Sequence, residues 1–171
     1  ANQALARAST IGGGVANVIT STASYAMIGG GANNVVTADS ATIGGGGENV
    51  ASGYGAAVGG GVSNRAGDGT ATVAGGGGNQ ARGYSAAILG GNWNVASGDN
   101  ATIGGGVGNV AGSIGAFVGG GGYDGTSYLG NQAVGAASVL GGGMDNTITT
   151  RADYGTIAGG YSNMVTATYG T

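Results

Sequence analysis

Ala41-Thr42-Ile43-Gly44-Gly45-Gly46-Gly47-Glu48-Asn49-Val50-Ala51-Ser52-Gly53-Tyr54-Gly55 is one unit of a pattern that runs the length of the chain. An apolar marker opens each copy: Ile11, Ile28, Ile43, Val58, Val73, Ile88, Ile103, Val118, Leu140 and Ile157. Six residues later an asparagine follows in nine of the ten copies. These are Asn17, Asn34, Asn49, Asn64, Asn79, Asn94, Asn109, Asn146 and Asn163; in the remaining copy Asp124 stands at that distance and Asn131 comes seven residues further on. The steps between markers are 17, six of 15, 22 and 17. A short fixed period of this kind predicts a solenoid, one structural unit per repeat stacked along an axis.

Within a unit the pattern reads as two short strands and two turns. Side chains two apart share a face of a strand, so Ala41 and Ile43 are expected inside and Thr42 outside. After the asparagine a second inward column runs Ile19, Val36, Ala51, Ala66, Ala81, Ala96, Ala111, Ala133, Ile148 and Val165. Gly53, Gly67, Gly69, Gly83, Gly98 and Gly112 are expected to supply positive φ at the closing corner. Stacked asparagines are expected to hydrogen-bond to their copies above and below, with the amide also tolerating left-handed backbone. The predicted fold is all-β: a parallel β-roll or β-solenoid of about ten 15-residue coils, a single domain over residues 1–171. Residues 124–130 form an insertion loop, and 1–8 and 164–171 are open half-coils. At about 4.8 Å per coil the rod would be on the order of 50 Å long.

Composition narrows the function. The 171 residues include 45 glycines, no proline, no cysteine and no histidine, and 6% are charged. Without proline or strict every-third spacing the glycine is not collagenous, and 41% apolar content argues against disorder. Disulfides, thiolate metal sites and the commonest general base are excluded. The net charge is −3, and Arg7, Arg65, Arg82 and Arg151 are scattered, so neither a phosphate-tracking surface nor a nucleic-acid partner is expected. No apolar run is long enough to span a bilayer. The carboxylates fall in different coils and the glycine tracts lack the Lys-Ser/Thr ending of phosphate loops, so neither an enzyme nor a cofactor or metal site is expected.

Candidate contacts lie where the repeat is broken. The insertion, with Tyr123, Asp124, Tyr128 and Leu129, offers aromatic and apolar groups of the kind favoured at interfaces, or is a tolerated surface loop. Trp93, the only tryptophan, replaces a small residue just before Asn94 and reads as an interface anchor or as packing on the adjoining coil. Tyr54 and Tyr84 alternate with Asp39 and Asp99 in the closing turn, either as a contact edge or as solvated turn residues. The asparagine column Asn17 to Asn163, including Asn131, is read as structural. Inward residues are mostly small, so the glycine stripe, typified by Gly75 to Gly78 and Gly119 to Gly122, is expected to face a threefold axis or another closely packed chain.

The string Ala41 to Ser52, followed by Ala56-Ala57-Val58-Gly59-Gly60-Gly61-Val62-Ser63-Asn64, resembles the head repeats of bacterial trimeric autotransporter adhesins, whose pattern is roughly A-T-I-G-G-G-x-x-N-x-A-S-G. The resemblance covers nearly the whole chain. It implies a trimer of left-handed parallel β-rolls displayed outside the cell or at its surface, binding host matrix proteins or other cells; cell-surface glycans are a further expected partner class. The expected function is a non-enzymatic extracellular adhesin head or fibre module. Its alternatives are a structural filament subunit stacking head to tail through open coil ends, and a phage tail-fibre segment. Ice binding is a poorer fit, because the outer column carries Thr only at every second coil from Thr42 to Thr102.

Overall fold

The computed structural model describes all 171 residues, and its regular secondary structure is β-strand alone, without a helix. Twenty-one strands of two residues each run from β1 (Gln3–Ala4) to β21 (Met164–Val165). They alternate between two sheets, one of eleven strands and one of ten, and every strand pair is parallel. Each strand pairs with its equivalent one winding away, as in Thr42↔Ala57 and Val50↔Arg65. The result is a β-solenoid of about eleven turns of roughly fifteen residues. The half-winding at Gln3–Ala4 joins the ladder through β3 (Val18–Ile19).

Each winding buries the same four columns. The markers from Ile28 onward, the small residues two places before them, the second-strand column and the asparagines are at or near complete burial, save for the last asparagine, Asn163. Twenty-eight apolar residues form one continuous core. Where Ser138 takes the small inner place, its hydroxyl donates to the carbonyl of Gly135 at 2.6 Å, so even that buried oxygen is partnered.

The asparagine column is the organising element. The backbone N–H of each asparagine donates to the side-chain Oδ1 of the previous one, at 3.0 Å for Asn49 on Asn34, Asn64 on Asn49 and Asn79 on Asn64. Its Nδ2 donates back to the second glycine of its own run and across to the third glycine of the next winding; for Asn79 these are Gly75 at 3.0 Å and Gly91 at 2.7 Å. One amide thus partners the next asparagine's N–H and the second glycine's carbonyl, which have no backbone partner, and adds a second donor to a third-glycine carbonyl that already accepts from a backbone N–H, as Gly91 O does from Gly77. The 22-residue winding keeps the ladder, because Asn131 donates to Asn109 Oδ1 at 2.9 Å. Asn2 extends it in the other direction by accepting from Asn17.

Three expectations are corrected. The ladder asparagines do not hold left-handed backbone: the residue before each of them does, Gly130 before Asn131 excepted, with φ of 56° at Ala16 and Ser63, 58° at Glu48 and 59° at Trp93. Asparagine is required there for its two-way amide. Likewise, none of Gly53, Gly67, Gly69, Gly83, Gly98 and Gly112 has positive φ. The left-handed corner falls one to three residues later, at Gly55, Thr70, Ser85, Asn100 and Gly115, as it does at Tyr25 and Ser40 in earlier windings. Gly53, Gly83 and Gly98 are glycine because an added Cβ would overlap the carbonyl of Asp68, Gly98 or Ser113 in the next winding.

The third correction concerns the glycine runs. The third glycine of each run, such as Gly46 at φ 86° or Gly76 at φ 90°, is left-handed and lies against the next winding's carbonyl. Close approach there is used inside the chain. The first glycine also faces a carbonyl of the next winding, although Ala74, Leu89 and Ala158 take that place in three copies. The second glycine is different: at Gly13, Gly30, Gly45, Gly75 and Gly90 an added Cβ would meet nothing within 4 Å, and φ is not positive.

Replacing Asn79 by Ala is expected to cost about 3 kcal/mol, since it strands buried partners on both sides. Gly76→Ala is expected to cost at least about 2 kcal/mol through a left-handed φ and a backbone overlap. Gly75→Ala should stay within about 0.5 kcal/mol as far as the single chain's fold is concerned. Urea unfolding followed by circular dichroism distinguishes the three; equal losses at Gly75 and Gly76 would contradict the assignment of roles within the run.

Candidate functional site

The largest departure from the repeat sits at the corner that precedes the asparagine. In the 22-residue winding the chain leaves the corner at Gly122 and returns at Leu129. Gly122 donates its N–H to Gly143 as an ordinary corner residue would, while Leu129 supplies the carbonyl that Asp145 uses, and Leu129 N–H closes the excursion on Gly122 O at 3.0 Å. Tyr123 and Tyr128 pair across it in antiparallel fashion, with rings stacked at 4.6 Å and 16°. At the tip Asp124 Oδ1 accepts from the N–H groups of Thr126 and Ser127, both at 2.8 Å, which fixes the reversal. The insertion is therefore a small hairpin with a built tip, and Gly130 resumes the corner before Asn131.

The same corner holds Trp93. Its N–H donates to Gly77 O, as Gly108 N–H does to Asn92 O and Asp145 N–H to Leu129 O, so the three mark one column, with the hairpin winding between Gly108 and Asp145. Trp93 is 69% exposed, and its indole leans over Gly78, whose missing side chain makes room for it. Trp93 thus packs on the adjoining winding and still presents most of its ring. Tyr123, Asp124, Tyr128, Leu129 and Trp93 are brought to one corner; Tyr54 and Tyr84 are not.

Those two tyrosines lie at the closing turn. Tyr84 leans over Gly69. The carboxylates of that turn are engaged by backbone: Asp39 accepts from Ser24 N–H at 2.7 Å, Asp99 from Tyr84 at 2.9 Å and Asp153 from Ala136 at 2.8 Å. This column is a structural cap with exposed tyrosines set into it. Two features had no counterpart in the sequence reading. Tyr154 and Tyr169 stack at 5.2 Å, and their 15-residue separation was the available signal. Arg65 lies on a strand and Arg82 just past the end of the neighbouring one, Gln80–Ala81; Arg65 reaches Ser52 Oγ at 3.2 Å and Arg82 holds Gln80.

The hairpin perturbs two ionisable groups. The Ser127 and Thr126 N–H groups hold the Asp124 carboxyl below the usual aspartate range. The Tyr128 phenol, as hydrogen-bonding neighbour and then as a like charge, pushes Tyr123 above the ordinary tyrosine value; slight desolvation and Asp124 act the same way. No family model matches this chain, and a search of curated proteins finds no match either.

The signs of these shifts set the hairpin's pH window. A lowered carboxyl pKa stabilises the ordered tip above the unfolded pKa of aspartate, and that contribution disappears as pH falls through the folded value. A raised phenol pKa acts in reverse, with its contribution lost as pH rises through the folded Tyr123 value. An ultraviolet titration is expected to show one tyrosine ionising after the rest, and Tyr128→Phe should return it to the main transition; a single unaltered transition in both proteins would contradict the stack.

Proposed function

We propose that this chain is a non-enzymatic, self-associating rod: the head or fibre segment of an extracellular adhesin, acting by presenting its windings and the corner hairpin to a partner. The observation that carries this reading is the distribution of charge. Ten of the eleven charged residues lie between the corner residue before the asparagine and the closing turn, at Arg7, Asp39, Glu48, Arg65, Asp68, Arg82, Asp99, Asp145, Arg151 and Asp153; the other, Asp124, is on the hairpin tip. From the small residue before the marker to the end of the glycine run, no winding carries a charge.

That uncharged face is also partly apolar and unusually bare. Met27, Phe117 and Val139 are exposed along the outer column of the ten-stranded sheet, and Leu89, Val15 and Val62 lie on the adjoining corner. The second glycine of the run recurs in all ten windings, although an added Cβ there meets at most ordinary van der Waals contact. A flat, uncharged face with one repeat per winding fits a second copy whose windings have the same spacing. The resemblance to trimeric adhesin heads makes a trimer of left-handed rolls the arrangement we favour.

Size-exclusion chromatography with multi-angle light scattering is expected to give three times the 15.7 kDa chain mass. Gly45→Arg, Gly75→Arg and Gly90→Arg combined place charges on open sites and should give a folded monomer. A wild-type chain that is folded and monomeric at every concentration would overturn self-association, and fibres of unlimited length would favour head-to-tail stacking instead.

A further inference from the structure

Two independent breaks in the repeat place aromatic rings at one corner, and neither contributes to the core. Elsewhere the place of Trp93 is taken by Ala16, Asn33, Glu48, Ser63, Gly78, Gly108, Asp145 and Ser162, residues that are small or polar. Trp93 is there in left-handed backbone with most of its ring in water. A bulky side chain in that conformation is an outlier that the fold does not require. Two windings further on, the same corner opens into the hairpin, where Tyr128 is 70% exposed and Tyr123 46%. Two windings correspond to about 9.6 Å of axis. Between the two features the place of Trp93 is taken by Gly108, which carries no side chain, with the half-buried Val107 beside it.

We propose that Trp93 and the Tyr123–Tyr128 pair form a binding edge for a neutral polysaccharide, deepening the adhesin reading by naming the ligand class of its corner. Aromatic faces stack on the C–H faces of sugar rings, and amphipathic rings on a rigid support lose little entropy on binding. Aromatic platforms two windings apart match the length of a short run of linked pyranose rings, so the ligand is a chain rather than a single sugar. Hydroxyl-bonding groups flank the platforms: the side chains of Asn92, Thr126 and Ser127, and the carboxylate of Asp145 on the next winding of the corner. Glu48, Asp124 and Asp145 are the only charges on the corner and the hairpin, so sulfated or uronic-acid chains are disfavoured there.

Because Trp93 is the only tryptophan, its fluorescence reports this site directly. The protein is titrated with neutral hexasaccharides of glucose, mannose, xylose and N-acetylglucosamine. A saturable shift of Trp93 emission is expected with at least one of them, weakened at least tenfold by the double change Tyr123→Ala and Tyr128→Ala, with thermal unfolding by circular dichroism confirming the fold. Trp93→Ala, assayed by retention in a gel containing the responsive polysaccharide, should lose that retention. No response to any neutral hexasaccharide at millimolar concentration overturns the proposal, as does binding that survives loss of the tyrosines, or a response only to proline-rich peptides or anionic glycans. Light scattering on the same samples reads self-association separately, so an oligomer that binds no sugar defeats this inference alone.

Discussion

The amide of one asparagine per winding is the constraint on which the solenoid rests. Windings this short turn so sharply that the asparagine N–H and the second glycine's carbonyl at the corner have no backbone partner. Asparagine alone among the short side chains offers an acceptor to the following winding and two donors to glycine carbonyls from a single planar group. The adjoining third glycine follows from this, because its left-handed φ and lack of a Cβ bring the carbonyl within reach of that amide. Polar satisfaction and steric fit are therefore coupled at the same place, and the small inner residues complete a core whose apolar side chains are individually modest.

Once that corner is fixed, the rest of each winding is permissive. The residue before the asparagine ranges from glycine to tryptophan, with nearly the same φ in every winding but the one that carries the hairpin, and the closing turn accepts two extra residues in the windings that begin at Ser9 and Ser138. A rigid frame with tolerant corners separates two tasks. One side remains uncharged and flat, whereas the other collects the charges, the hairpin and the exposed aromatic rings.

Much of the fold was legible in the sequence because the repeat overdetermines it. The marker column, the small inner column and the asparagine column each gave the same register, and the structure follows all three. The positive-φ positions were not legible, since glycine marks both left-handed backbone and close approach: Gly53 and Gly83 serve the second purpose, while Tyr25, Ser40 and Thr70 carry the first. The same ambiguity hid the distinct roles of the three glycines in each run. At the candidate site the aromatic residues were recognisable as breaks in the pattern, but their meeting at one corner depended on where the 22-residue winding opens. That point is set by the hydrogen bonds of Gly122 and Leu129 rather than by composition.

The asparagine ladder also has a direction. In every pair the later residue donates its backbone N–H and the earlier one offers the side-chain oxygen, from Asn2 through to Asn163. A chain delivered N-terminus first therefore meets, at each new turn, an acceptor already held in place by the turn before. Growth of the rod is templated in one sense along its axis, with each completed layer serving as the seat for its successor.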